Sequence, residues 1–213
     1  MTSLARTERS ALADLLDSVG PDQPTLCGDW TTRDLAAHLV VRERRPDTTP
    51  GIAISAFAGW TASVQDSYAE HPYAELVELV RTGPGRLSPF SLPGADTFFN
   101  TTEYAIHHED VRRAVLGWEP RDLPPRVQDT LWKALAGRAP IAFRGLACGV
   151  ELHRTDRPKA EPLVPSTGDS TVTISGEPME LLLCLFGRRE HARVDVTGDA
   201  TAIALLDAFD LAV

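Results

Sequence analysis

The sequence predicts an α+β protein: a helical bundle over residues 1–138, followed by a small α/β domain over residues 139–213. Two observations carry that reading. From Leu4 to about residue 137, apolar residues recur at helical spacing between proline- and glycine-marked breaks; beyond residue 140, short segments alternate every second residue as strands do. The composition agrees. A chain of 213 residues, 43% hydrophobic and 24% charged, can bury a sizeable core in one large domain or two small ones.

The elements follow in order. Leu4, Ala11, Leu12, Leu15, Leu16 and Val19 form the apolar stripe of a first helix, which Gly20-Pro21 stops. Thr31 and Asp34 have capping-box spacing, so a second helix starts there and runs to about Arg45, ahead of Pro46. Residues 50 to 70 read as a third helix and residues 72 to 82 as a shorter fourth. The proline- and glycine-rich GPGRLSPFSLPG after them is a loop. Asp96 to Leu116 gives a long helix ended by Gly117, and DLPPRVQDTLWKALAG gives one more. Then GVELHRTD, TVTI and ARVDVTG read as strands, with EPMELLLCLFGRR and DATAIALLDAF as helices around the last of them.

Charge and targeting signals exclude several classes of function. The net charge of −9 opposes broad association with nucleic acid or anionic lipid, and the one basic run, at Arg42, Arg44 and Arg45, is short and broken by Glu43. No stretch approaches the ~18 apolar residues that a membrane span needs, and the first twenty residues lack an uninterrupted apolar core of signal-peptide type. A cytoplasmic protein is therefore expected, as a monomer or homodimer, with neither nucleic acid nor membrane as partner. Cys27, Cys148 and Cys184 are too scattered for a disulfide framework and are expected as free thiols.

The chemistry concentrates in two helical segments. In TTEYAIHHEDVRRA, Glu103 and His107 stand four residues apart, about 40° from each other around the helix axis, whereas His108 is turned from Glu103 by roughly 140°. Glu103 and His107 can share an ion, and His38 lies mid-helix in TTRDLAAHLVVRER. Any one of these residues alone is more often a core or ion-pair residue; together, on helices with apolar surroundings, they form a candidate ligand set. A buried carboxylate needs a cationic partner. Asp110 returns to the stripe of Glu103 and could bind the ion, orient an imidazole, or cap the polar seam. Arg42, one turn after His38, could hold an anionic group of a cofactor or substrate or face solvent. Cys27 could be a thiol near the ion, but its place in the loop before a helix favours a structural, half-buried thiol; Trp30 and Trp60 read as packing residues, and His71, His153 and His191 as surface residues.

The string CGDWTTRDLAAHL, Cys27 to Leu39, together with EYAIHHEDVRR, Glu103 to Arg113, resembles the metal-binding domain of the mycothiol-dependent maleylpyruvate isomerase family. That family belongs to the broader DinB-like and YfiT-like four-helix bundles. The string SGEPMELLLCLFGRREHARVDVTGD is similar to the small α/β domain that follows the bundle in many of its members, so the likeness spans nearly the whole chain. The resemblance implies a divalent ion, usually zinc, on His38, Glu103 and His107, with water or a substrate thiol completing the sphere. It is closer to uncharacterised metal-binding relatives than to the isomerase itself, so it implies the ion and names no substrate.

Three protein ligands with an open position make a catalytic type of zinc site, whereas structural sites are usually closed by four. Mixed imidazole and carboxylate donors also admit nickel, iron or manganese. Two functions are therefore expected. One is a metal-dependent enzyme using a low-molecular-weight thiol, of the mycothiol kind, in isomerisation, sulfur transfer or detoxification; the other is a non-catalytic module that binds or senses an ion. A fourth protein ligand such as Asp110 favours the module.

Overall fold

The computed structural model describes residues 3–48, 58–85 and 95–211. The chain divides into two compact units, 1–119 and 120–213.

Among the described residues the first unit is helical, with α1 at Leu4–Val19, α2 at Thr32–Arg44, α3 at Ala58–Ala69, α4 at Tyr73–Thr82 and α5 at Ala95–Arg112. Ser3 caps α1, its hydroxyl accepting from the Arg6 amide, and Gly20 ends it at φ +81°, a left-handed conformation open to glycine. The capping box at the start of α2 forms as its spacing predicts: the Thr31 hydroxyl accepts from the Asp34 amide, and the Asp34 carboxylate accepts from the Thr31 amide at 2.8 Å. An isolated antiparallel bridge, Pro24 to Thr31, closes the loop ahead of it. Leu12 and Leu16 of α1, Leu35, Ala36 and Leu39 of α2, Leu76 of α4 and Tyr104 of α5 form one buried cluster. The expected third helix was read from residue 50; its first part, and most of the loop GPGRLSPFSLPG, lie outside the described residues.

The second unit carries α6 at Pro125–Ala142, β1 at Gly149–Arg154, β2 at Leu163–Ser166, β3 at Thr171–Gly176, α7 at Pro178–Leu185, β4 at Val194–Gly198 and α8 at Ala200–Asp207. The sheet order is β2-β1-β3-β4, with β1 parallel to β3 and both edge pairs antiparallel. Gly198 is required where β4 closes on β3. It has φ +122°, and a Cβ there would stand 2.5 Å from the Thr171 carbonyl oxygen.

Three features differ from the sequence reading. The division falls at Glu119/Pro120 and not at residue 138, because α6 packs on α7: the Gln128 side chain accepts from the Met179 amide at 3.1 Å and donates to Glu177 at 2.7 Å. Helical periodicity identifies an apolar face without naming its partner. Strand β2 was not expected. Its sequence, LVPS, includes Pro165, which fits only because β2 is an edge strand with one side unpaired. Trp60, expected to pack, is 53% exposed.

The α2 cap offers a direct check on the element that carries His38. Thr31→Ala should lower unfolding free energy by about 0.5–2 kcal/mol in chemical denaturation. Thr31→Ser, which keeps the acceptor, should restore most of the loss.

Candidate metal centre

Two helices place the ligands. On α2 the residues flanking His38 are buried, Ala37 at 0% and Leu39 at 1%, so the helix is fixed against the core while the His38 side chain stays 24% exposed. On α5, Tyr104, Ala105 and Ile106 are buried between Glu103 and His107, which hold 19% and 12% side-chain exposure. The centre is thus set in an apolar wall and reachable from solvent.

Its middle is one oxygen atom. Glu103 Oε1 lies 3.3 Å from His38 Nε2, 3.3 Å from His107 Nε2 and 3.2 Å from Arg42 Nε. Donor atoms of His38, Glu103 and His107 all fall within 4.8 Å of one another, as a shared ion requires. Bonds of about 2.0–2.1 Å at the tetrahedral angle would leave neighbouring ligand atoms about 3.3–3.4 Å apart. The two His–Glu edges, 3.3 Å each, are compatible with that spacing as well as with direct hydrogen bonds.

His108 behaves as the helix phase predicts. It points to α1, where Nδ1 lies 3.1 Å from Glu8 Oε2. Of the three roles open to Asp110, the structure supports orientation of an imidazole. Asp110 Oδ2 is 2.9 Å from His107 Nδ1, on the opposite side of the ring from Glu103, and Asp110 is fully buried. Arg42 turns inward. Its Nη1 donates to Asn100 Oδ1, and Asn100 in turn donates to Glu43 Oε1 at 2.7 Å, an oxygen that also accepts from Arg9 at 2.7 Å.

Two further residues take part, Cys27, for which the sequence left a place near the ion only as the minor alternative, and Asn100, which it missed. Cys27 Sγ donates to Asp110 Oδ2 at 3.1 Å and stands 3.7 Å from His107 Nδ1, which gives a second set of potential ligand atoms, Cys27, His107 and Asp110, sharing one imidazole with the first. Cys27 lies in a loop, where no periodicity aims a side chain. Asn100 lies on α5 three residues before Glu103, and that spacing was its only signal. All three cysteines are free thiols, and burial pushes Cys184 up to about 11 and raises Cys148, so neither is a ready nucleophile.

Electrostatics bind the pair tightly. Burial alone would raise the Glu103 carboxyl, but hydrogen bonds from His107 and His38 and the charges of His107 and Arg42 hold it well below its ordinary value. Burial alone would lower His107; the carboxylates of Asp110 and Glu103 and the Cys27 contact raise it well above its ordinary value instead.

No family model and no curated protein matches the chain. Among solved structures, the mycothiol-dependent maleylpyruvate isomerase matches with a TM-score of 0.52 at 19% identity, and a histidine-to-alanine mutant of that enzyme with 0.54 at 18%. Each match covers 95% of this chain and 97% of the other. At that identity the likeness establishes the fold, and the chemistry must rest on the side chains.

Two outcomes follow for ion binding. His107→Ala should abolish it, while His108→Ala, which removes the contact with Glu8 on the other side of the helix, should leave most of it; equal losses in titration calorimetry would contradict the ligand set. The raised His107 fixes the sign of the pH dependence. The charged form that the Asp110 and Glu103 carboxylates favour must lose a proton when an ion binds, so apparent affinity should climb as pH rises above the ordinary histidine range. The limit is about tenfold per pH unit for one displaced proton. A flat profile from pH 6 to 9 would contradict it.

Proposed function

We propose that this chain is a divalent-metal-dependent enzyme that uses a low-molecular-weight thiol, with the ion on His38, Glu103 and His107 and a reaction of the isomerisation, sulfur-transfer or detoxification class. The observation that carries the proposal is the convergence of both Nε2 atoms on Glu103 Oε1 at tetrahedral-edge distances. Zinc suits this donor set, and nickel is compatible with it. An ion held there supplies Lewis acidity and favours the thiolate form of a bound thiol at neutral pH.

The chain's own residues define what else happens at the centre. Asp110 lies on the Nδ1 side of His107, so it does not complete the Nε2-side sphere; this supports an open position over a closed, non-catalytic module. Glu103, Asp110 and Arg42 together carry one formal negative charge. A divalent ion turns that into one positive charge, which a single anionic ligand such as a thiolate offsets in a poorly solvated place. Arg42, whose Nε lies 3.2 Å from Glu103 Oε1, is the residue assigned in this proposal to a second anionic group of a thiol or substrate. The isomerase whose fold the chain shares is mycothiol-dependent by its name, which accords with this class of small-molecule partner.

Thermal shift and chemical denaturation test the proposal without a known substrate. A bound thiol at a hundred times its dissociation constant should stabilise the metal-loaded protein by about 2.7 kcal/mol, and metal removal should erase the gain. Mycothiol, bacillithiol, glutathione and cysteine are the probes, and the cobalt-substituted protein should gain a sulfur-to-metal absorption band with whichever binds. If none shifts the loaded protein and no band forms, the centre is a non-catalytic ion-binding module.

A further inference from the structure

The loop between α1 and α2 holds the two imidazoles from outside the helices that carry them. Trp30 packs on His38 with ring centroids 5.0 Å apart, tilted by 45°. On the other imidazole the loop acts through Asp110. The Leu26 amide donates to the Asp110 backbone carbonyl at 3.1 Å, and the Cys27 thiol donates to Asp110 Oδ2 at 3.1 Å, the same oxygen that lies 2.9 Å from His107 Nδ1. Cys27 is itself fixed, since its amide donates to Thr25 Oγ1 at 3.1 Å and that hydroxyl donates to the Trp30 carbonyl at 2.9 Å. One loop therefore reaches both rings through a single run of residues, Thr25 to Trp30.

We propose that Asp110, held by Cys27 and Leu26 of this loop, is a positioning residue that keeps the His107 proton on Nδ1 and presents Nε2 beside Glu103, so that the loop sets the affinity of the centre. The physical reason lies in the imidazole. To ligate, the ring must give up one proton and become neutral, and only its bare nitrogen can ligate; a fully buried acceptor 2.9 Å from Nδ1 keeps the remaining proton there, so Nε2 is the nitrogen left bare, and stops the ring turning over. Oδ2 accepts from two donors on different segments, so its own direction is defined by the loop as well as by α5. A ligating histidine generally gives its second N–H to such a partner, and loss of the partner generally costs about 10–100-fold in metal affinity. The inference rests on the metal reading above for its consequence and on the hydrogen bonds alone for its geometry.

The test compares Asp110→Ala, Asp110→Asn, Cys27→Ala and Cys27→Ser. Two readouts are taken: zinc affinity by competition with a chromophoric chelator, and the hydrogen-bonded Nδ1–H resonance of His107 in nitrogen-15 spectra of metal-free protein. Asp110→Ala should lose the resonance and weaken zinc by about 10–100-fold. Asp110→Asn keeps an acceptor oxygen, so it should keep the resonance and lose clearly less affinity than Asp110→Ala. Cys27→Ala should shift the resonance and weaken zinc a few-fold, and Cys27→Ser, which restores a donor, should recover it. The proposal is overturned if Asp110→Ala keeps the resonance and binds zinc within twofold of the parent, or if Asp110→Asn loses as much as Asp110→Ala. Should Asp110→Ala fail to fold, the Cys27 pair decides: an unmoved resonance and unchanged affinity in Cys27→Ala overturn it. A parent protein that binds no zinc refutes the metal reading, while the resonance still reports whether Asp110 holds the ring.

Discussion

Everything at the candidate centre depends on one constraint: a half-buried carboxylate oxygen, Glu103 Oε1, that must be met by positive charge. Four-fifths of the Glu103 side chain is removed from solvent. Leaving an ionised carboxylate there alone would cost several kcal/mol. The fold answers with three nitrogen donors from two helices, His38 and Arg42 of α2 and His107 of α5. Each of those donors makes demands in turn, and the network around the site is the sum of the answers. His107 carries its second N–H to Asp110, and Arg42 is steadied by Asn100.

The demand propagates through the bundle. Asn100 gives its amide to Glu43, which also takes Arg9; Arg9 lies over the Tyr104 ring at 4.7 Å, one residue on from Glu103. At the end of α5, Glu109 pairs at 2.5 Å with Arg113 just beyond the helix, both fully shielded, and the Arg113 guanidinium covers Trp118 at 4.5 Å. Buried ion pairs of this kind contribute little net stability against apolar replacements, but breaking one partner away is costly. Helix α5 therefore tolerates little rotation. Its register is fixed by polar contacts on several sides, His108 to Glu8 on one and Asp110 to the Cys27 loop on another, and that register holds Glu103 and His107 toward α2.

What could be read in the sequence was what local geometry determines. The Thr31 and Asp34 cap, the fourfold spacing of Glu103 and His107, and the turning away of His108 follow from helix parameters and are present as expected. The partner of α6 was not legible, because an amphipathic face does not say which surface covers it. Strand β2 was hidden by Pro165, whose tolerance depends on an edge position that only the assembled sheet defines. Cys27 could not be placed for a related reason: a loop residue has no phase, so the choice between a structural thiol and one near the ion waited on the tie of the Leu26 amide to α5.

The same distinction governs what the fold likeness can carry. A match over 95% of the chain at 18% or 19% identity means that different residues, obeying the same alternation of apolar and polar positions, pack into the same architecture. Such a pattern survives extensive replacement. A ligand set does not, because a carboxylate and two imidazoles must meet within a few tenths of an ångström, and no change of similar size and polarity reproduces them. The argument for metal chemistry in this chain therefore stands on Glu103 Oε1 and its three nitrogen neighbours. Shared architecture explains how α2 and α5 come to face each other; the side chains explain why an ion would stay between them.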